Sequence, residues 1–371
     1  MASSVIKFDH LERMTDDTGL LEHSLGRIPR RREGYSTDDN ARAIWVCLEW
    51  LALCQDTKTN ERLYRLLDRY LAFLLWAQNE DGTFHNNFFF DRTKEEETPS
   101  DDCFGRSFWA AAMAYVRLRD PARREAAAEM LRRAIPAAWE LRSLRGSAWG
   151  LAACGVLLTE GRPPGVDEQE AAALAARFEE RLLSAYASNA DARWRWYESE
   201  LTYANGVLPW ALWTAYRRAP RHEVREVAEK SLAFLIDNMS GPGGVIRPIG
   251  NRGWCNRRYR ADWDQQPLDV MKLALAAREA YWATDDEQYR SVVCRCLAWF
   301  YGENDGKAPL ADPSDGSCCD GLGPNGPNPN RGAESTLSYL LTAAIAQSIS
   351  VEVAVDELVH YKTVRMAGAR V

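Results

Sequence analysis

DWDQQPLDVMKLALAAREAYWATDDEQYRSVVCRCLAWFYG, residues 262–302, contains both kinds of helix from which this chain is built. After a polar opening, the segment from Gln265 runs apolar nearly all round; from Asp286 onward the apolar positions share one face and the charges the other. A helix apolar on every side is buried on every side, whereas an amphipathic one covers it and faces water. The alternation recurs at helical period along the chain, with almost no convincing strand. Apolar helices open at TDDNARAIW from Thr37, DDCFGRSFWAAAM from Asp101, RGSAWGLAACG from Arg145, LTYANGVLPWALW from Leu201, QQPLDVMKLAL from Gln265 and RGAESTLSYLL from Arg331. Amphipathic partners follow each: residues 61–78, 121–139, 168–186, 222–239, 286–302 and 351–366. Six buried and six covering helices predict two concentric rings, an all-α (α/α)6 barrel forming one catalytic domain over residues 1–371. Hairpins of roughly 45 to 70 residues are too irregular for an open helical solenoid, which keeps a sharper period.

Composition narrows the class. The chain has 371 residues, 46% hydrophobic and 27% charged, ordinary for a globular protein. A net charge of -7 argues against nucleic acid, which is met by basic surfaces. No apolar run approaches the ~20 residues of a membrane span. The start, MASSVIKFDHLERMTDD, lacks the apolar core of a signal peptide, so a cytoplasmic protein is expected. Nine cysteines without a CxxC pair and only five histidines point to no metal site and no cofactor. Most cysteines sit in apolar helical stretches as small hydrophobes; the Cys318-Cys319 doublet has no evident role in the sequence.

In a barrel of this kind every inner helix starts at the same end, so residues ahead of those starts are neighbours in space. Six positive helix N-termini converge there too. The N-terminal segment 1–36 is expected to contribute to this mouth. Ahead of the first inner helix stand Tyr35, Asp38, Asp39 and Asn40; at the second, Asp101, Asp102 and Arg106; at the third, Arg145 and Trp149. The fourth carries Trp196, Glu198, Tyr203 and Asn205. The fifth has Asn251, Trp254, Arg260, Asp262, Trp263, Asp264, Gln265 and Gln266, and the sixth Asp320, Asn330 and Glu334. Acids and amides are ordinary N-caps, and Asp38 or Asp39 and Asp101 or Asp102 fit that role singly. A cap needs one short oxygen, however, and these junctions add Trp, Tyr, Arg and Gln. The opposite helix ends, such as LALCQDTKTNE and YRRAPRHE, show nothing comparable.

Carboxylates, amides and aromatics in one pocket suit carbohydrate. Sugar hydroxyls pair with Asp, Asn, Gln and Arg, while indoles meet the faces of the ring. Glycosidic cleavage needs one carboxylic acid to protonate the leaving oxygen and a second carboxylate to activate water or to attack. Helices three apart face each other in a six-fold ring, which sets Asp102 against Asp264 and Asp39 against Glu198. The catalytic candidates are Asp102 and Asp264 first, then Asp39, Glu198 and Glu334. Tyr35, Asp38, Asn40, Arg106, Trp149, Trp196, Tyr203, Asn205, Asn251, Trp254, Arg260, Trp263, Gln265, Gln266 and Asn330 are the candidate substrate-binding residues. The tryptophans near helix starts, among fourteen in the chain, are read as an aromatic rim. The arginine runs IPRRRE (28–33) and NRRYR (256–260) neutralise acids or bind phosphate. The loop 306–330, rich in Gly, Pro and Asn, is expected to fold over the mouth.

Several stretches carry a resemblance: DDTG from Asp16, GYSTDDNAR from Gly34, DDCFGR from Asp101, LTYANG from Leu201, PIGN from Pro248, DQQP from Asp264 and GAESTL from Gly332. Through them the chain resembles the six-hairpin glycosidase superfamily, and within it bacterial proteins encoded beside or fused to glycosyltransferases. The resemblance implies an enzyme acting on an oligosaccharide through paired carboxylates, a glycosidase working with inversion. A phosphorylase of the same fold and a non-catalytic glycan-binding partner of a glycosyltransferase are the alternatives. The fold also hosts sugar 2-epimerases, which rely on histidines; none of His10, His23, His85, His222 or His360 opens an inner helix.

Overall fold

The computed structural model describes residues 6–350. Its helices are α1 (Asp9–Met14), α2 (Thr37–Leu53), α3 (Thr57–Ala77), α4 (Asp101–Arg117), α5 (Pro121–Ala137), α6 (Leu144–Glu160), α7 (Glu168–Asn189), α8 (Val207–Arg218), α9 (His222–Asn238), α10 (Pro267–Thr284), α11 (Glu287–Phe300) and α12 (Ala333–Ser348). The even-numbered helices form the inner ring. Each packs against the next, α2 to α4, α4 to α6, α6 to α8, α8 to α10 and α10 to α12, and α12 then returns to α2. That last contact closes the ring and separates a barrel from an open solenoid.

The odd helices α3, α5, α7, α9 and α11 cover the ring from outside, each against an inner neighbour. The expected sixth covering helix, 351–366, lies outside the described residues. The short α1, which the periodicity does not announce, packs against α12. Burial follows the two patterns read from the sequence. Residues Pro267 through Ala280 of α10 are all buried. In α3 the buried positions recur at Leu63, Leu66, Leu67, Tyr70, Leu71, Phe73, Leu74 and Ala77, one face of a 3.6-residue period.

Four tryptophans from four inner helices plug the middle of the barrel. Trp45, Trp109, Trp149 and Trp210 meet mostly edge to face, with Trp149 and Trp210 centroids 5.0 Å apart and Trp45 and Trp109 5.7 Å apart. Such pairs add about 0.5–1.5 kcal/mol each beyond the area they bury. The Lys272 ammonium nitrogen lies 4.2 Å from the Trp149 ring centre and 5.5 Å from that of Trp45, buried and without a hydrogen-bond partner. Burial there holds its pKa well below the usual lysine range.

Short two-residue ladders fasten the loops above the plug. Tyr35–Ser36 pairs with Asn87–Phe88, and Glu200–Leu201 with Cys255–Asn256. Gly34 lets the first of these form: its φ is 72°, and a Cβ there would lie 1.9 Å from the Phe88 carbonyl oxygen. The loop 306–330 folds into two small hairpins and pairs Leu322 with Gln265 in both directions. All nine cysteines are free, Cys318 and Cys319 both buried. Among the described residues no helix is long and apolar enough to cross a membrane, and no cluster of His, Cys, Asp or Glu is arranged to hold a metal.

Candidate active site

The N-terminal end of the inner ring holds a cavity of about 260 Å³. Its wall is polar: Glu22 and His23 from the N-terminal segment, Asp38, Asp39 and Arg42 from α2, Glu334 and Ser335 from α12, with Asn86, Gln266 and Asp320 from loops. Asp38 and Asp39 diverge because successive helical residues point about 100° apart. Asp38 reaches α4, where it binds Arg106 at 2.6 Å; Asp39 turns to Arg42 on its own helix at 2.5 Å. Arg106 also binds Asp102 at 2.9 Å, and Arg42 binds Glu334 at 2.8 Å. Farther round, Arg145 binds both Glu198 oxygens at 3.1 Å and lies over the Tyr203 ring, and the Tyr203 hydroxyl lies near Asp102. A belt of alternating carboxylates and guanidiniums thus runs from α12 through α2 and α4 to the loop before α8.

The acids are not doing the capping. Ser36, Ser100 and Ser143 accept the amide protons of Asp39, Cys103 and Gly146 and so cap α2, α4 and α6. Asp101 instead accepts from the amides of Arg142 and Ser143, tying the second junction to the third. Asp320 receives the Gly332 amide at 2.6 Å and the Ser335 hydroxyl at 2.7 Å, which anchors the start of α12.

Electrostatics divides the carboxyls into two kinds. Burial pushes Asp102 up, but Arg106, the Tyr203 hydroxyl, Arg145 and Lys272 together hold it below the usual carboxylate range. Asp39 is pushed up to about 7, by burial first and then by Glu22, Glu334 and Asp38, against the pull of Arg42. Glu22 is likewise raised to about 7 by burial, with repulsion from Glu334, Glu95 and Asp38. Unlike Asp39 it has no arginine within salt-bridge distance among the described residues; its polar neighbour is His23, at 3.5 Å.

Several residues expected at the mouth have other work. Trp149 and Trp196 are buried, the first in the central plug and the second against Tyr197 and Phe234. Trp194 is buried too, so the expected aromatic rim reduces to half-buried Trp254 and partly exposed Tyr203 and Trp263; large indoles near helix starts pack inward. The Tyr35 hydroxyl donates to Asp16, Asn40 bridges Leu20 and Ser36, and Asn205 closes on Thr202. Arg260 donates to the carbonyls of Asn238 and Arg247, and the Asn330 side chain accepts the Gly26 amide. Asn251 is exposed. In the DWDQQP stretch, Asp264 takes a left-handed φ of 61° and pairs with Arg252, outside the cavity wall. Gln265 is buried against Asp305 and the Asp262 carbonyl; Gln266 and Pro267 face the cavity. Sequence reasoning passed over Glu22, His23 and Arg42. Arg42 had a readable signal, standing three residues after Asp39 on one helical face.

The far end of the ring is not featureless, contrary to the reading of its loops. The C-terminal turns of the inner helices enclose a larger cavity, about 440 Å³, below the tryptophan plug. Its polar side chains are mostly committed to one another, so the mouth, with its uncommitted acid, is the better candidate for chemistry.

No family model and no curated protein matches the sequence. Solved structures do match the fold. A sugar epimerase from a ruminal bacterium superposes with a TM-score of 0.68 at 11% identity, over 93% of this chain and 96% of that one. A GH76 alpha-mannanase from Bacteroides thetaiotaomicron gives 0.63 at 13% identity, over 92% and 94%. The cellulase Cel9M of C. cellulolyticum gives 0.61 at 9%, over 92% and 90%. The chain has the six-hairpin (α/α)6-barrel fold. In this six-hairpin barrel the carboxylate belt sits where the inner helices begin, and the tryptophan plug forms its floor.

Proposed function

We propose that this six-hairpin barrel is a carbohydrate-active enzyme, a glycoside hydrolase working at the N-terminal mouth. The observation that carries the reading is Glu22, a carboxyl raised to about 7 that shares one cavity with the Arg42-bound carboxylate of Glu334. One carboxyl that keeps its proton and a second held by an arginine supply the proton donor and the acceptor that glycosidic cleavage requires. In this reading Glu22 gives its proton to the glycosidic oxygen as the C–O bond breaks. Water adds to the anomeric carbon from the opposite face and loses a proton to Glu334, with inversion. Asp38, which lines the same cavity and is held by Arg106, accepts from sugar hydroxyls. The buried mouth arginines are already matched by carboxylates, which favours hydrolysis over phosphorolysis.

A panel of oligosaccharides incubated with and without inorganic phosphate tests this. Free reducing sugar, independent of phosphate, is expected from wild type and not from Glu22→Gln or Glu334→Gln. Full turnover in both variants sinks the assignment, and sugar binding without product in any arm points instead to a glycan-binding partner. One observation favours a second reading: His23 lines the cavity beside Glu22, as a proton-transferring histidine of a sugar 2-epimerase would. Deuterium appearing at C2 in heavy water, lost in His23→Asn, would replace the hydrolase by an isomerase.

A further inference from the structure

The cavity below the tryptophan plug has its own chemistry. Trp109 and Trp210 belong to its wall, with Leu48, Leu53, Met113 and Val156 supplying apolar surface. Arginines gather here because helix C-termini leave carbonyls unpartnered and carry partial negative charge. Three of the four are matched: Arg278 with Glu49 at 3.2 Å, Arg217 with Glu279, and Arg117 with Glu160 at 3.5 Å. The fourth, Arg218, has no carboxylate partner among the described residues, and its Nε is buried without a hydrogen bond. The Nε of Arg278 and the Nε1 of Trp109 are buried and unpartnered as well. Every orphaned side-chain group of this wall is therefore a donor, and a buried donor without an acceptor is costly.

We propose that this cavity binds a small organic monocarboxylate with an apolar or aromatic body. The carboxylate pairs with the one lining guanidinium that has no carboxylate partner among the described residues, and the body fills the apolar wall. A doubly charged phosphate monoester is disfavoured, because the surrounding helix C-termini repel the second charge. Gly155 keeps the space open: a Cβ there meets its first neighbour, the Arg218 side chain, at 3.9 Å, so a larger residue enters the cavity without backbone strain.

The test titrates octanoate, octyl phosphate and octanol into the full-length protein, followed by tryptophan fluorescence and calorimetry. Wild type is expected to bind octanoate saturably and at least tenfold more tightly than either control. Arg218→Gln should lose at least tenfold in octanoate affinity and keep its octanol affinity. Gly155→Leu should lose all three ligands while circular dichroism and thermal midpoint stay at wild-type values. Absence of saturable octanoate binding at millimolar concentration overturns the proposal. So does equal affinity for octanoate and octanol, or wild-type octanoate binding by Arg218→Gln. Neither residue belongs to the mouth, so these outcomes leave the hydrolase reading to its own experiment.

Discussion

Glu22 keeps its proton near neutrality because burial and three neighbouring carboxylates, Glu334, Glu95 and Asp38, disfavour its anion. A general acid works protonated, so kcat should fall as pH rises through about 7. Glu22→Gln is expected to lower kcat roughly 10²–10⁴-fold and to erase that alkaline limb, with sugar affinity and thermal midpoint little changed. A pH–rate profile of the two proteins checks it; an intact limb in the variant assigns the titration elsewhere. Asp38 and Asp39 could be read from the sequence because they stand in the first turn of a helix whose period is plain. Glu22 could not, since it lies in an aperiodic stretch. Its place depends on pairings made by its backbone, with Gly34 and with the Ala333 amide at the start of α12.

At the scale of the element, three inner helices share one device: a serine caps the amide at the third helical position, which in α2 and α4 leaves the acids after it free for other partners. Removing such a cap costs about 1 kcal/mol. Ser143→Ala should show that loss in urea unfolding with kcat unchanged. Ser36→Ala should lose both stability and activity, because the Ser36 hydroxyl also donates to Asp39 at 3.0 Å. Equal kcat in the two variants would separate Asp39 from the chemistry. Helix interiors were legible from periodicity alone, and the structure follows them closely. Helix starts were less so: the fourth inner helix begins at Val207, after a ladder at Glu200–Leu201 and a left-handed Ala204, φ 50°, that no local pattern in LTYANG reveals. Asp264 was misplaced for the same reason, since its own left-handed turn carries it to Arg252 instead of into the cavity.

For the whole molecule, Glu22, Asp39 and Asp269 each stand at about 7, against roughly 4 for a free carboxyl. The folded chain holds protons that the unfolded chain has released. Stability from these groups is therefore full below about pH 4 and lost as pH rises through about 7. Asp269 isolates the effect: it is buried, and neither carboxyl oxygen makes a well-formed hydrogen bond, although the Asn205 and Ala204 amides lie near. Asp269→Asn should match wild type near pH 4 and exceed it at pH 8 by up to roughly 4 kcal/mol, because each tenfold difference in proton affinity between folded and unfolded chain is worth about 1.4 kcal/mol. Urea midpoints at the two pH values decide; parallel behaviour refutes the buried, protonated Asp269. Two concentric rings were legible because burial on every side and burial on one side leave different residue patterns. The tryptophan plug and the cavity beneath it were not, because they arise from side chains of four helices meeting on an axis that no single segment encodes. The seam where α12 meets α2 has one more consequence. It joins Gly26 to Asn330, 304 residues apart, and so sets Glu22 beside Glu334. A chain emerging from the ribosome cannot set Glu22 beside Glu334 until α12 is out, so the meeting of these two carboxyls waits on the closure of the ring.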